Sequence, residues 1–319
     1  MRKDLLPANA VLAANRIADY VRETPLEYSA YFSEITGAEV WLKLENLQST
    51  GSFKLRGATN KLLSLSDEER EVGCVAASSG NHGAAVATAM ATHGINGVIF
   101  VPETASTAKI DAIRRAGGDV RLFGTDGLDT EQHARQYAVD NGMTYLSPYN
   151  DMDVVAGQGS CGVEIARQTD SLDAVFIAVG GGGLISGVGS FLKSVHPELQ
   201  VIGCQPEKSA VMAASADAGE ILDLPSEPTL SDGTAGGIEA GAVTFDICQA
   251  VVDRYELLTE EEIAEAMREF IDAHTMLLEG AAAVALAGLK KAKADFEGRK
   301  VVVIICGRNI SRETLKKVI

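Results

Sequence analysis

The chain has 319 residues, a length that suits two domains or one large α/β unit. Its composition, 46% hydrophobic and 23% charged residues, is ordinary for a globular protein with a full core. The formal net charge of −16 at pH 7 repels phosphate backbones and anionic lipid surfaces. Nucleic acid and membranes are therefore not expected as partners.

The cysteine pattern and the N-terminus both indicate the cellular compartment in which the protein is expected. The five cysteines are odd in number, far apart and form no C-x-x-C pair, which fits a reducing environment. The N-terminus has no apolar signal core, and the densest apolar run, 301–306, is too short to span a bilayer. We expect a cytoplasmic protein. The five histidines show no metal-ligand spacing, so no metal site is predicted.

Predicted strands and helices alternate along the chain, starting with a helix near 9–20 and an extended segment at Pro25. Apolar strands that alternate with helices indicate parallel sheets covered by helices, and two such runs suggest two α/β domains with a crevice at the strand ends. A segment rich in Pro, Gly, Ser and Thr, 224–244, is predicted to be a long functional loop. The predicted strands are 39–44, 72–77, 97–101, 119–123, 144–146, 174–179, 200–204 and 300–306. The other predicted helices are 54–65, 84–93, one ending near 116, 129–141, 155–169, one from 184, 209–218, one opening at Thr259, and 279–293.

The strongest local signal is V-G-G-G-G-L-I-S-G at 179–187, where a buried strand runs into four glycines and a helix start. Free backbone N–H groups beside the positive end of a helix dipole make a cradle for phosphate. A tight turn would need only one or two glycines. The dinucleotide pattern G-x-G-x-x-G and the nucleotide-triphosphate pattern G-x-x-x-x-G-K-[ST] are both absent, which favours a phosphorylated cofactor or sugar.

A second signal, S-S-G-N-H-G at 78–83, also lies between a strand and a helix start. Its hydroxyls, amide and backbone N–H groups could form a cup for a carboxylate or a ring oxygen, although Ser79 or Asn81 could equally be a helix N-cap. Cys306 ends a buried strand and is followed by glycine. A buried cysteine is usually inert, but this position also allows a role in a site.

The stretch 41–58 places Lys54 among small residues, in G-S-F-K-L-R-G-A. Glycine and serine allow a ligand to approach the backbone closely, as a lysine with covalent chemistry requires. Taken alone, Lys54 could be one solvated lysine among many. The other motifs favour the reactive interpretation, because each offers a different part of a binding site for one ligand.

Four motifs in this order, G-S-F-K-L-R-G-A, S-S-G-N-H-G, G-G-G-G-L-I-S-G and C-G-R-N, resemble those of fold-type II pyridoxal-phosphate enzymes. The chain is most similar to the serine/threonine dehydratase group, which includes threonine ammonia-lyase and serine racemase, and R-E-T-P-L and T-L-S-D-G extend the likeness over nearly the whole chain. The resemblance implies a two-domain α/β fold like that of the tryptophan synthase β chain, with the site between the domains. It assigns 1–47 plus 147–319 to a large cofactor domain and 48–146 to a small domain, and it implies a homodimer.

The resemblance also implies roles for individual residues. Lys54 would form a Schiff base with pyridoxal 5′-phosphate and remove the α-proton of the substrate. Ser79 would supply an acid or base on the opposite face. The other cofactor contacts would come from Phe53 beside the ring, Asn81 at its 3′ oxygen, Gly180, Gly181, Gly182, Gly183 and Leu184 at the phosphate, and Cys306 at the pyridine nitrogen. The substrate carboxylate would bind to Ser78, Ser79, Asn81 and His82.

The implied activity is that of a lyase in amino-acid catabolism, which converts L-threonine or L-serine to 2-oxobutyrate or pyruvate and ammonia. One alternative on the same scaffold is a serine- or aspartate-type racemase or a 3-hydroxyaspartate dehydratase, for which Arg135 and Arg308 are the candidates to bind a second carboxylate. Arg308 stands in C-G-R-N where the family usually has glycine, and it is expected to face solvent. A second alternative is a non-catalytic protein that binds a phosphorylated ligand.

Overall fold

The computed structural model describes residues 3–319 and contains a six-stranded and a four-stranded sheet. The strand order is β1-β2-β10-β7-β8-β9 in the larger sheet and β5-β4-β3-β6 in the smaller one. The strands are β1 (Leu26–Tyr28), β2 (Glu39–Lys43), β3 (Cys74–Ala77), β4 (Gly97–Val101), β5 (Asp119–Leu122), β6 (Thr144–Tyr145), β7 (Ala174–Ala178), β8 (Gln200–Pro206), β9 (Arg254–Leu258) and β10 (Lys300–Ile304).

All neighbouring strands run parallel except β1, which pairs antiparallel with β2 at the edge of the larger sheet. The α/β class and the eight predicted strands are confirmed. The sequence predicted an extended segment at Pro25 but no strand at β1, which has three residues, and it gave no strand at β9, whose side chains are mostly half-buried. Both are edge strands, and an edge strand lacks the continuous apolar run that marks the buried strands of a parallel sheet.

Fourteen α-helices lie among the described residues, and every predicted helix is present with its ends shifted by a few residues. Those that were not predicted are α2, α4, α11 and α14, which have six to nine residues and offer little periodicity. The helices are α1 (Leu6–Ile17), α2 (Ala30–Thr36), α3 (Lys54–Ser64), α4 (Asp67–Val72), α5 (Asn81–His93), α6 (Thr107–Arg115), α7 (Gly127–Asp140), α8 (Met152–Gln168), α9 (Gly183–Val195), α10 (Val211–Ala218), α11 (Val243–Val251), α12 (Glu260–His274), α13 (Gly280–Ala292) and α14 (Arg312–Val318).

Each sheet has its own apolar core. The larger core contains β7, β10 and the alanine-rich α13, whereas the smaller one contains residues of β3, β4 and α5. The four strands of the smaller sheet lie within 48–146 and the other six lie outside it. The domain bounds at 47/48 and 146/147 stay a prediction. Within 3–319 we find no helix that combines the length and the apolarity needed to cross a bilayer.

A buried ion cluster joins the start of α3 to the larger sheet. The guanidinium of Arg56 donates to both carboxylate oxygens of Glu45 at 2.7 Å and to those of Glu164 at 2.6 and 2.8 Å. Lys43 Nζ also donates to Glu164, at 2.6 Å. Burial raises the pKa of Glu45, but the charge of Arg56 outweighs that effect and holds the pKa below its usual value. Two cations therefore balance two anions, next to the turn that carries Lys54.

Replacing Arg56 with glutamine is expected to lower the free energy of unfolding by about 3–5 kcal/mol, because two carboxylates lose their buried partner. Denaturant unfolding measures the change. The matched control is Lys193→Gln, which breaks an exposed ion pair with Asp253 and should cost about 1 kcal/mol or less. A loss in Arg56→Gln no larger than that of the control would contradict the role given to this cluster.

Candidate active site

A cavity of about 1830 Å³ lies between the two sheets. It is bordered by segments that follow the carboxyl ends of β3, β7 and β10, by the start of α3 and by the residues between α10 and α11, which form neither helix nor strand. Every predicted site residue lines it. These residues are Phe53, Lys54, Ser78, Ser79, Asn81, His82, Gly180, Gly181, Gly182, Gly183, Leu184 and Cys306.

Lys54 is the first residue of α3, and the turn before it is clamped to the chain that follows β10. Phe53 N–H donates to the carbonyl of Cys306 at 3.1 Å, and Arg308 N–H donates to the carbonyl of Gly51 at 2.9 Å. The amine Nζ of Lys54 donates to the carbonyl of Pro148 at 3.0 Å. This neutral acceptor orients the amine towards the cavity without adding a charge.

Burial lowers the pKa of Lys54 to about 8, although Cys306 and Glu279 act in the opposite direction. A lysine amine in water has a pKa of about 10.4. A lowered pKa means that a larger fraction of the amine is neutral near pH 7 to 8. The neutral form is the one that attacks a carbonyl carbon or accepts a proton, so the site prepares Lys54 for both tasks.

The loop from Gly180 to Gly183 connects β7 to α9 and leaves space that only glycine permits. Gly182 has a φ of 82°, which side chains rarely adopt. A Cβ atom on Gly181 would lie 2.3 Å from the ring of Tyr149. The loop reaches the positive end of the α9 dipole, where the first N–H groups have no partner within the helix. This is the cradle that a phosphate needs.

The S-S-G-N-H-G segment enters α5 and presents its polar groups to the cavity. Ser78 Oγ accepts from Gly80 N–H at 3.2 Å, so this hydroxyl supports the turn. The hydroxyl of Ser79 makes no hydrogen bond to any other residue within 3–319. It therefore remains available to a ligand. The first N–H groups of α5 are likewise free of helical acceptors.

The ring of His82 is committed elsewhere. Its Nε2 lies 2.8 Å from the carbonyl oxygen of Leu146, which fixes that nitrogen as the donor. Burial and the nearby charge of Lys54 lower the pKa of His82 to about 3, so the ring is neutral. The predicted contact between His82 and a substrate carboxylate stays a prediction, and we expect it to involve the backbone N–H rather than the imidazole.

Glu279 is a site residue that sequence reasoning did not select. Its Oε1 accepts from Asn81 Nδ2 at 2.8 Å and its Oε2 accepts from Asn309 N–H at 2.9 Å. Asn309 Nδ2 in turn donates to Asn81 Oδ1 at 2.6 Å. The two contacts fix which end of the Asn81 amide is the donor, and they leave one of its N–H bonds for a ligand. The only sequence signal is an acidic residue heading the otherwise apolar start of α13.

Cys306 and Glu279 both border the cavity as buried groups. Burial raises the pKa of Glu279 to about 7, with Asp232 acting in the same direction and the hydrogen bonds from Asn81 and Asn309 opposing them. Burial and the neighbouring Glu279 raise the pKa of the Cys306 thiol well above its usual value. The thiol is therefore protonated at neutral pH.

The two predicted arginines have different positions. Arg308 does not line the cavity; it is half-buried and its guanidinium donates to the carbonyl of Asn46. The residue expected to face solvent is therefore partly exposed, with its guanidinium held at a backbone carbonyl. Arg135 does line the cavity, where it contacts the carboxylates of Glu131 and Glu239.

Comparisons with known proteins agree with this geometry. The profile of the family described as "Pyridoxal-phosphate dependent enzyme" matches residues 17–307, most of the chain. The chain belongs to this family. It is 41% identical over 307 residues to the L-threonine ammonia-lyase of Thermotoga maritima, covering 96% of this chain and 76% of that one.

Two solved structures are also similar to this pyridoxal-phosphate-dependent enzyme. The processed form of threonine deaminase isoform 2 from Solanum lycopersicum superimposes with a TM-score of 0.94 and 35% identity, covering 98% of this chain and 92% of that one. Maize serine racemase superimposes with a TM-score of 0.92 and 30% identity, covering 97% and 95%. The two-domain α/β class implied by the motifs is thereby confirmed.

The residues present fit pyridoxal phosphate. The glycine loop could hold its phosphate, the amine of Lys54 could bind its aldehyde carbon, and the free N–H of Asn81 could reach a ring oxygen. A protonated thiol at Cys306 suits a ring nitrogen that stays uncharged. The cofactor is the one that the family name states, whereas these individual contacts stay predictions.

Replacing Gly181 with alanine is expected to weaken the affinity of the enzyme for pyridoxal phosphate at least about tenfold, because the new Cβ meets the Tyr149 ring and distorts the phosphate cradle. Titration of the cofactor-free protein measures the dissociation constant. The control is Gly127→Ala, at a cavity-lining position where a Cβ meets nothing within 4 Å. Equal affinities of the two variants would rule out the glycine loop as the phosphate site.

Proposed function

We propose that the chain is an L-threonine and L-serine ammonia-lyase, which releases 2-oxobutyrate or pyruvate and ammonia. The observation that carries the proposal is the position of Lys54. Its amine, with a pKa lowered to about 8, lies in one cavity with the glycine loop and the S-S-G-N-H-G segment. The likeness to an L-threonine ammonia-lyase and a threonine deaminase supports the same reaction.

The substrate carboxylate would bind at the start of α5. The hydroxyl of Ser79 and the N–H groups of Asn81 and His82 offer neutral donors, and the helix dipole favours a negative charge there. Ser78 would hold the turn in place through its bond to Gly80 N–H. Binding at this point would direct the α-carbon of the amino acid towards Lys54.

Pyridoxal phosphate, when bound, supplies an electron sink that acidifies the bond between the α-carbon and its hydrogen. The neutral amine of Lys54 would then remove the α-proton to Nζ. Among residues 3–319, the other lysine that lines the cavity is Lys109, whose amine is exposed and paired with Asp232. The carbonyl of Pro148 would orient the amine for this transfer. Loss of the β-hydroxyl releases one water molecule, and the hydrolysis that follows consumes one. The products are the 2-oxo acid and ammonia.

Cys306 would influence which reaction follows proton removal. A protonated thiol donates only a weak hydrogen bond and cannot balance a positive charge on the ring nitrogen as a carboxylate would. We infer that this favours prompt loss of the β-hydroxyl over return of the proton. Ser79 is the candidate acid for a return on the opposite face, so a racemase, as the likeness to maize serine racemase suggests, is the alternative.

A substrate panel tests the proposal. The purified protein is expected to absorb visible light through a borohydride-sensitive link to Lys54, and to form 2-oxo acid and ammonia from L-threonine and L-serine much faster than from 3-hydroxyaspartate. Lys54→Ala should lose both the band and the activity, whereas Lys193→Gln, on the surface, should keep both. Inverted serine without oxo acid would establish the racemase instead. A colourless protein would contradict both enzyme functions and support the remaining alternative, a non-catalytic protein that binds some other phosphorylated ligand.

We further propose that the enzyme acts as a homodimer in the cytoplasm. The edge of the larger sheet exposes Tyr28, which is 48% exposed and packs edge-to-face on Trp41 with ring centroids 5.6 Å apart. Tyr31, at the start of α2, is 38% exposed. Exposed aromatic side chains of this kind suit an interface with a second copy of the chain. Sedimentation velocity distinguishes a monomer from a dimer. Five buried, unpaired cysteines suit a reducing compartment.

A further inference from the structure

One wall of the cavity carries an arginine held by two carboxylates. Arg135 Nη2 lies 2.7 Å from Glu131 Oε1 and 2.7 Å from Glu239 Oε2, and its Nε lies 3.0 Å from Glu131. The guanidinium also stacks on the ring of Tyr145, 4.2 Å from its centroid. Arg135 and Glu131 belong to α7, whereas Glu239 belongs to the irregular segment between α10 and α11. We call Glu131, Arg135 and Glu239 the wall triad.

The wall triad carries one positive and two negative charges, so its formal charge is negative. Glu239 is fixed further by Asn150, whose Nδ2 donates to the same Oε2 at 2.9 Å. Its other oxygen, Oε1, is buried and has no hydrogen-bond partner among residues 3–319. One carboxylate oxygen of the triad is therefore buried without a donor from the described residues to offset its negative charge, whereas the cation of the triad is already paired.

Tyr149 connects the wall triad to the reaction site. Its hydroxyl accepts from Glu239 N–H at 3.0 Å, while its ring packs where a Cβ on Gly181 would lie. The carbonyl of the preceding residue, Pro148, accepts the hydrogen bond from the amine of Lys54. The triad thus stands one aromatic side chain away from the phosphate cradle.

The other cations that line the cavity are paired, exposed at its rim or assigned to the cofactor. Arg312 lines the cavity as the first residue of α14, where it is exposed. Lys109, which lines the cavity, is paired with Asp232 at 3.3 Å. Arg308 lies outside the cavity. Lys54 is committed to the cofactor by the proposed function.

We propose that the wall triad determines substrate choice by excluding amino acids with a second carboxylate. Glu131 and Glu239 neutralise Arg135, and the net negative charge of the triad repels an anionic β-substituent. The methyl group of threonine and the hydrogen of serine carry no charge, so the triad does not oppose them. This inference rests on the proposed function, because it concerns how that site selects among β-hydroxy amino acids.

The test compares L-threonine with 3-hydroxyaspartate in a variant that frees the arginine, Glu131→Gln with Glu239→Gln. The ratio of kcat/KM for 3-hydroxyaspartate to that for threonine is expected to rise at least about tenfold, since an unpaired guanidinium binds a carboxylate well. The dissociation constant of 3-hydroxyaspartate, measured from the visible spectrum, should fall relative to that of serine. Adding Arg135→Gln to the double variant should remove both gains.

Two further variants complete the design. Arg135→Gln alone leaves two unpaired carboxylates and should lower the ratio below that of the wild type, which keeps the proposal testable if the double variant does not fold. Glu265→Gln with Glu269→Gln removes two carboxylates that pair with Lys290 away from the cavity, and it should leave the ratio unchanged. An unchanged ratio in the folded double variant, or a gain that persists without Arg135, would overturn the proposal.

The outcomes separate the two proposals. Wild-type protein that forms no oxo acid from threonine or serine contradicts the proposed lyase function. The spectral dissociation constants need no turnover, so they still show whether the wall triad discriminates between one and two carboxylates. If the wild-type protein binds 3-hydroxyaspartate as tightly as serine, the proposal for the wall triad is contradicted and the proposed lyase function is not.

Discussion

The paired charges of Arg56, Glu45 and Glu164 fix the position of Lys54. Arg56 lies two residues after Lys54 on α3, and both of its carboxylate partners belong to parts of the chain that pack with the larger sheet. Separating them would leave charges without partners in a region that excludes water. The start of α3 is consequently held in one place, and the clamp between Phe53 and Cys306 fixes the same turn from the other side.

The fold and the position of the site follow from sequence features that are local. Continuous apolar runs predict buried parallel strands, and the glycine loop and S-S-G-N-H-G segment each follow such a strand. Parallel strands bring their carboxyl ends to one edge, so motifs at those ends lie together. Gly181 and Cys306 follow β7 and β10, which are neighbours in the larger sheet, so they could be predicted to share one cavity, as the structure shows. That Lys54 and the S-S-G-N-H-G segment join them is implied by the family resemblance.

The remaining features depend on contacts that no local pattern encodes. Glu279 is indistinguishable in sequence from a solvated helix-capping residue until α13 places it against Asn81. The ring of His82 turns to a carbonyl that follows the edge strand β6, and Arg135 meets Glu239 across the cavity. Each contact joins segments about 60 to 200 residues apart, so it is set by tertiary packing, within the smaller unit for His82 and between the two sheets for Asn81 and Arg135.

The burial of the cysteines affects how readily their thiols react with oxidants and electrophiles. All five thiols are buried, and burial raises the pKa of each, including Cys306 in the cavity. Oxidants and electrophiles react with the thiolate, which these residues do not form at neutral pH. The thiol in the wall of the cavity is therefore expected to react slowly with oxidants and electrophiles at neutral pH.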